Sequence, residues 1–141
     1  MTDLPDINVW LALVDGNHVH HSSAQRYWQH QAGPLVAFCR VSMLGFLRLA
    51  THRSVLSRPL APSEAWRIYR QYLGEVDVCF LHEPPGIDDE FEQLSGAPGF
   101  SLHLWTDAYL AAFARSAGCR MVSFDSDFGN FPSLEFLHLS A

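Results

Sequence analysis

Two carboxylates separated by one serine stand at the end of an apolar run. The stretch is SFDSDFGNF, residues 123–131, and it completes a segment from Cys119 to Phe124 that reads as a buried strand. A third acid, Asp6, closes a shorter apolar start and precedes INVWLALV. A fourth, Asp107, lies in WTDAYLAAFA, whose helical pattern leads back into the 119–124 run. Brought together without a cation, these groups repel, and at least one holds a proton, because like charges in one site raise the pKa. A divalent cation removes the conflict. Ligation by oxygen alone suits magnesium or manganese, and magnesium keeps several waters of its own. Such an ion polarises a phosphoryl oxygen and lowers the pKa of its bound water. The chemistry these residues point to is phosphodiester hydrolysis.

The acids meet only if the fold carries separate segments to one edge. Leu4 to Asp6 reads as the end of a short first strand, and INVWLALV as a helix with Ile7, Trp10, Leu11 and Val14 on one face. A second helix is predicted over His20–Gln31, with Ala24, Tyr27 and Trp28 inward, and a strand over Leu35–Cys39. Ser42 is placed to cap a helix with the stripe Met43, Phe46, Leu47, Ala50. Pro62 opens another helix that runs to Leu73 and stops at Gly74. Val76–Leu81 is a third strand, and EPPGIDDEFEQL a loop with an acidic helix after it. Ser101 or Thr106 caps a helix to Ser116 that Gly118 ends; strands over Arg120–Phe124 and Leu134–Leu139 complete the chain. Helices alternate with short apolar strands and no hairpin dipeptide joins neighbours. That pattern predicts crossover connections and a mostly parallel sheet of about four to five strands, covered by helices on both faces. In such a sheet ligands gather outside the carboxyl ends of the strands, where Asp6, Asp125 and Asp127 fall. Each acid also has a plain structural role: Asp6 as an N-cap, Asp107 beside a helix dipole, Asp125 and Asp127 in Asx turns. Only their convergence distinguishes a site.

Composition narrows the alternatives. The 141 residues suit one domain over 1–141, and 48% of them are apolar, enough for a sizeable core. No apolar run has the length of a membrane span, and MTDLPDINV lacks the pattern of a signal peptide, so a cytoplasmic protein is expected. Cys39, Cys79 and Cys119 are odd in number and widely spaced, which argues against a disulfide framework or a zinc knuckle. The net charge is −6, so the chain as a whole repels nucleic acid. All nine basic residues are arginine, and the missing lysine excludes a Walker A loop and Schiff-base catalysis. No G-x-S-x-G or G-x-G-x-x-G occurs. His18, His20 and His21 lack metal-ligand spacing and read as a polar loop.

PDINVWLAL (5–13), VSMLGFLRLATH (41–52), WTDAYLAAFA (105–114) and VSFDSDFGNFP (122–132), in this order, resemble the PIN-domain family and within it the VapC-type toxins. The resemblance covers essentially the whole chain. It implies a three-layer α/β/α fold around a mostly parallel sheet, magnesium- or manganese-dependent ribonuclease activity, a homodimer, and silencing by a co-encoded, VapB-like antitoxin. Carried over by residue, Asp6, Asp107 and Asp125 match catalytic metal-binding acids and Asp127 an accessory one. Asn8 is the small polar partner of the first acid. Ser123 falls where a family hydroxyl positions a carboxylate or water. The departure is at the second acid of T-x-x-E: Ser42 is kept, but Gly45 stands where the glutamate is expected. A glycine there signals either close packing or room at the site. Arg48, one turn on, is read as pairing with a site acid or contacting phosphate, with the former favoured. Asp88, Asp89, Glu90 and Glu92 are candidate substitute acids, though such a run is more often a solvated face. Trp105, beside Asp107, is the aromatic to test for RNA contact. The reading is a metal-dependent endoribonuclease toxin; the alternative is a weakened PIN-like module that binds RNA or protein without cutting.

Overall fold

The computed structural model describes residues 1–140. Strand β1 (Asp3–Pro5) enters the core at once and turns at Asp6 into α1 (Ile7–Val14). Helix α2 (His21–Arg26) continues as a π turn over Tyr27–Gln31 and returns the chain to β2 (Val36–Phe38). Helices α3 (Arg40–Ala50) and α4 (Pro62–Leu73) follow, then β3 (Val78–Phe80) and α5 (Ile87–Ser95). A 3₁₀ turn at Leu102–Leu104 leads into α6 (Trp105–Ala117), β4 (Arg120–Ser123), a second 3₁₀ turn at Ser126–Asn130, and β5 (Phe136–His138). The strands form one sheet in the order β3-β2-β1-β4-β5, and every pairing is parallel. β1 and β4 are central neighbours, so their carboxyl ends, with Asp6 and Asp125, lie side by side.

Strand alternation sorts the core into two layers. Leu4, Ala37 and Met121 face α5 and α6, among Leu94, Leu110 and Phe113. Val36, Phe38, Val78 and Val122 face the opposite layer, built from α1 to α4. Trp10 of α1 lies flat on Phe38, with ring centroids 3.9 Å apart and planes at 13°. The expected three-layer α/β/α arrangement is thus present. No helix among the described residues is long and apolar enough to cross a membrane.

A carboxylate that the sequence reading passed over is buried in this core. Asp3 has no exposed surface. Arg120 on β4 donates to both its oxygens, at 2.8 and 2.9 Å. The Tyr27 hydroxyl and the Gly33 N–H donate to it as well, at 2.7 and 2.9 Å. A buried carboxylate is tolerated only when it is paired and hydrogen-bonded in this way. The helix expected over residues 20–31 runs from His21 to Gln31 and widens to a π turn from Tyr27, the residue whose hydroxyl reaches Asp3.

Two helix starts also differ from expectation. α3 begins at Arg40, so Ser42 is inside its first turn. The Ser42 hydroxyl reaches back to accept from the Cys39 N–H at 3.0 Å. Neither Ser101 nor Thr106 caps α6, because the 3₁₀ turn runs directly into it.

Gly45 resolves in favour of close packing. A Cβ added there would overlap Ile7 Cδ1 and lie 2.8 Å from Ile7 Cγ1. The glycine lets α3 close onto the first residue of α1, the one adjoining Asp6. We predict that Gly45→Ala destabilises the fold by about 1–2 kcal/mol, overpacking outweighing the gain of about 1 kcal/mol in helix propensity. In an Ile7→Ala background the same change should be neutral or stabilising. Urea unfolding of the four chains gives the coupling; additive effects would show that the two positions do not compete for space.

Candidate functional site

The site forms where β1 and β4 end. Asp6 is the N-cap of α1: its Oδ1 accepts from the Ile7 N–H at 2.8 Å, and its own N–H extends the ladder to the Val122 carbonyl at 2.8 Å. Its other oxygen, Oδ2, accepts from the Ser123 hydroxyl at 2.8 Å. That hydroxyl in turn accepts from the Asp125 N–H at 2.9 Å and from Asn8 Nδ2 at 3.2 Å. Asn8 Oδ1 takes the Phe124 N–H at 3.4 Å. Asp125 Oδ1 accepts from the Asp127 N–H at 2.9 Å, closing the Asx turn that lifts the chain out of β4. Asp6, Asn8, Ser123, Asp125 and Asp127 are therefore one connected network drawn from two segments.

Asp107 reaches the same edge from α6, in the first turn of that helix. Its carboxyl is pushed up to about 7, first by burial and then by the negative charges of Asp6, Asp125 and Asp127. Asp6 is also raised, chiefly by burial and in smaller part by Asp125, against the lowering effect of the Ser123 and Ile7 hydrogen bonds. Asp6, Asp125 and Asp127 thus each act electrostatically on Asp107, and Asp125 acts on Asp6. No three acid, histidine or cysteine side chains among the described residues are close enough to share a metal ion directly. The donor set is nonetheless all oxygen, and its repulsion is what a hard cation relieves. The fit is to an ion that retains waters between itself and some carboxylates.

Other predicted residues fall elsewhere. Arg48 is exposed and lines a groove with Leu44, Leu47 and Trp66 instead of pairing with a site acid. It points off the outer face of α3, where that helix meets α4. Ser42 is occupied with the Cys39 backbone. Asp88, Asp89 and Glu92 are exposed, and Arg115 stands 2.9 Å from Glu90, a charge contact without hydrogen-bond alignment. None of these substitutes for the acid absent at Gly45. The histidine cluster serves local structure: His18 Nδ1 accepts from the His20 N–H, a ring nitrogen of His21 donates to the Ala12 carbonyl, and His20 stacks on Phe124. Trp105 is half exposed and packs edge-on against Phe91 and Phe100.

The raised Asp107 carboxyl has a consequence for stability. An unfolded aspartate ionises near pH 4, whereas the folded one holds its proton to about pH 7. The unfolded state releases its proton first, so the stabilising contribution is full below about pH 4 and is lost as pH rises toward about 7. In chelator, the melting temperature of the unmodified chain should fall between pH 5 and 8 more steeply than that of Asp107→Asn. Adding magnesium or manganese should remove the difference. Parallel curves for the two chains would contradict the electrostatic coupling.

Known proteins share this fold. The PIN domain family profile matches residues 4–134. Ribonuclease VapC41 of Mycobacterium tuberculosis is 34% identical over 138 residues, covering 94% of each chain. Ribonuclease VapC33 of the same species is 31% identical over 135 residues, again covering 94% of each. Among solved structures, Mycobacterium tuberculosis VapC20, described as a sarcin–ricin loop cleaving toxin, superposes with a TM-score of 0.70 at 19% identity, over 94% of this chain and 97% of that one. The VapBC2 complex of Rickettsia felis, bound to promoter DNA, gives 0.68 at 9% identity over 99% and 100%. The chain belongs to the PIN domain family, in the company of its VapC ribonucleases.

Proposed function

We propose that the protein is a magnesium- or manganese-dependent endoribonuclease that acts in the cytoplasm as the toxin of a toxin–antitoxin pair. The observation that carries this reading is the convergence of Asp6, Asp107, Asp125 and Asp127 at the carboxyl edge of the sheet, where burial first and the neighbouring carboxylates second push the Asp107 carboxyl up to about 7. The relatives named VapC ribonucleases support RNA as the substrate. Asp6, Asp107 and Asp125 would hold the cation, with Asp127 as an accessory ligand. The bound ion would polarise a phosphoryl oxygen and activate a water for attack. The chain's own contribution is positional. Ser123 fixes one Asp6 oxygen and leaves the Asp125 carboxylate free of that hydroxyl, while Asn8 braces Ser123 and the Phe124 backbone.

The structural neighbours solved as toxin–antitoxin complexes support a co-encoded protein partner. An inhibitory segment with an arginine or lysine aimed at these acids would meet the same need as the metal. The active form is a homodimer in this proposal.

A specific observation favours a second reading. The second-acid position is Gly45, closed by Ile7, so hydrocarbon replaces a ligand there. On that reading the chain is a weakened PIN-like module that binds RNA or protein without cutting. One experiment separates them. With manganese, the purified chain should cut structured RNA, and Asp6→Asn should slow it by about a hundredfold or more, the loss of several kcal/mol of charge stabilisation. Asparagine caps a helix as well as aspartate does, so folding is spared. Metal-independent RNA affinity without cutting would establish the second reading, and equal cutting by both chains would mark the activity as contamination.

A further inference from the structure

The carboxyl ends of β2 and β3 carry a groove that the acid network does not use. Arg40, the first residue of α3, lays its guanidinium over the Phe80 ring, 4.6 Å from the centroid. His82 meets that ring edge-on, with centroids 5.1 Å apart and planes at 73°. Arg40 and His82 are exposed, and with Val41, Leu81, Glu83 and Tyr109 they border a cavity of about 390 Å³. The one acid in the lining, Glu83, accepts from the Tyr109 hydroxyl at 2.6 Å. The ion pairs among the described residues engage Arg58, Arg115 and Arg120, so the Arg40 charge is available to a ligand.

The sheet register places this groove beside the acids. Asp3 pairs with Val36, and the same register carried forward sets Asp6 level with Cys39, immediately before Arg40. Phe38 pairs with Phe80, one strand further out. Neighbouring strands lie about 4.8 Å apart, so Phe80 stands about 10 Å across the edge from the Asp6 position. A strand of nucleic acid lying along this edge would pass from the carboxylates onto a cation and an aromatic surface. We propose that the groove holds the single-stranded RNA segment adjoining the scissile phosphate: Arg40, seated on Phe80, forks a backbone phosphate, and the exposed His82 ring, braced against Phe80, offers a stacking platform to the neighbouring base. This deepens the nuclease reading and rests on it for the identity of the ligand. The guanidinium is held in place by Phe80 and matches phosphate bidentately. Stacking on rings and on guanidinium planes is the usual way proteins grip unpaired bases. In a chain of net charge −6, a cation at this place offsets the repulsion that the acids exert on the substrate.

The test measures RNA binding, not cutting. A fluorescent single-stranded RNA oligonucleotide is titrated with the full-length Asp6→Asn chain, which leaves the RNA intact, in manganese over a series of salt concentrations at pH 8. Adding Arg40→Ala should weaken binding about tenfold and flatten the slope of log K against log salt by about 0.7, the loss of one phosphate contact. Arg40→Lys should restore the slope and only part of the affinity. His82→Ala should weaken binding about fivefold without altering the slope. Arg67→Ala, exposed on α4, serves as the control and should change neither. Unaltered affinity and slope in both the Arg40→Ala and His82→Ala chains overturn the proposal, even if binding of a protein partner falls instead. That result leaves the nuclease reading standing wherever the unmutated chain cuts RNA with manganese. Conversely, weakened RNA binding in Arg40→Ala, with no cutting by the unmutated chain, supports the groove and removes the nuclease.

Discussion

A single hydroxyl joins the two chain ends of the site. Ser123 has no exposed surface, donates to Asp6, and accepts from the Asp125 backbone and from Asn8. It lies 117 residues from Asp6 in sequence, so its hydrogen bond exists only because β1 and β4 are central neighbours in the sheet. Without a donor at this position, the buried Asp6 oxygen would lose a charge-assisted hydrogen bond and carry an uncompensated desolvation penalty. The rest of the site is built outward from this contact. The β4 exit turns at Asp125 because its carboxylate takes the Asp127 N–H, and α1 starts at Ile7 because Asp6 caps it.

The network brings negative charge together, so the surrounding fold must hold it there against repulsion. α1 is clamped from two sides: Trp10 lies on Phe38 of β2, and Ile7 fills the place a side chain at Gly45 would occupy. The close approach of α1 and α3 replaces a possible ligand with packing. A stiffer mount for Asp6 is thus obtained at the expense of one oxygen donor. On the other sheet face, the alanines of α6 allow the helix to sit close on β1 and β4, which sets the reach of Asp107 toward the edge.

Much of this was legible in the sequence because its strongest signals are periodic or punctuated. The bounds of α4 follow from Pro62 and Gly74, and the parallel sheet from alternation of short apolar runs with helices. The acids at the ends of β1 and β4 were legible for the same reason, whereas the Ser123 hydroxyl as a carboxylate positioner came only from the family resemblance. Long-range partnerships were not legible. Asp3, two residues from the chain start, carries no local sign that Arg120 and Tyr27 will enclose it. The π turn begins at Tyr27, one of the residues that enclose Asp3. Ser42 and Arg48 were misplaced because helical phase, set by where α3 begins, decides which way each side chain points; a start at Arg40 turns Ser42 back toward Cys39 and Arg48 outward.

The placement of the arginines leaves the clustered acids without an ion-pair partner among the described residues. Three of them are committed to Asp3, Glu64 and Glu90, each away from the edge where the four acids gather. None pairs with Asp6, Asp107, Asp125 or Asp127 among the described residues. Had Arg48 turned inward, its fixed charge would have lowered the Asp107 carboxyl and quenched the local potential. The fold instead neutralises the buried carboxylate that serves structure and leaves the clustered ones unneutralised. The two acids are treated differently: Asp3 is enclosed by four donated hydrogen bonds, whereas the Asp107 carboxyl is pushed up to about 7. On the proposed function, a metal ion and a basic side chain of a partner would compete for the same negative potential, because either charge relieves the same repulsion.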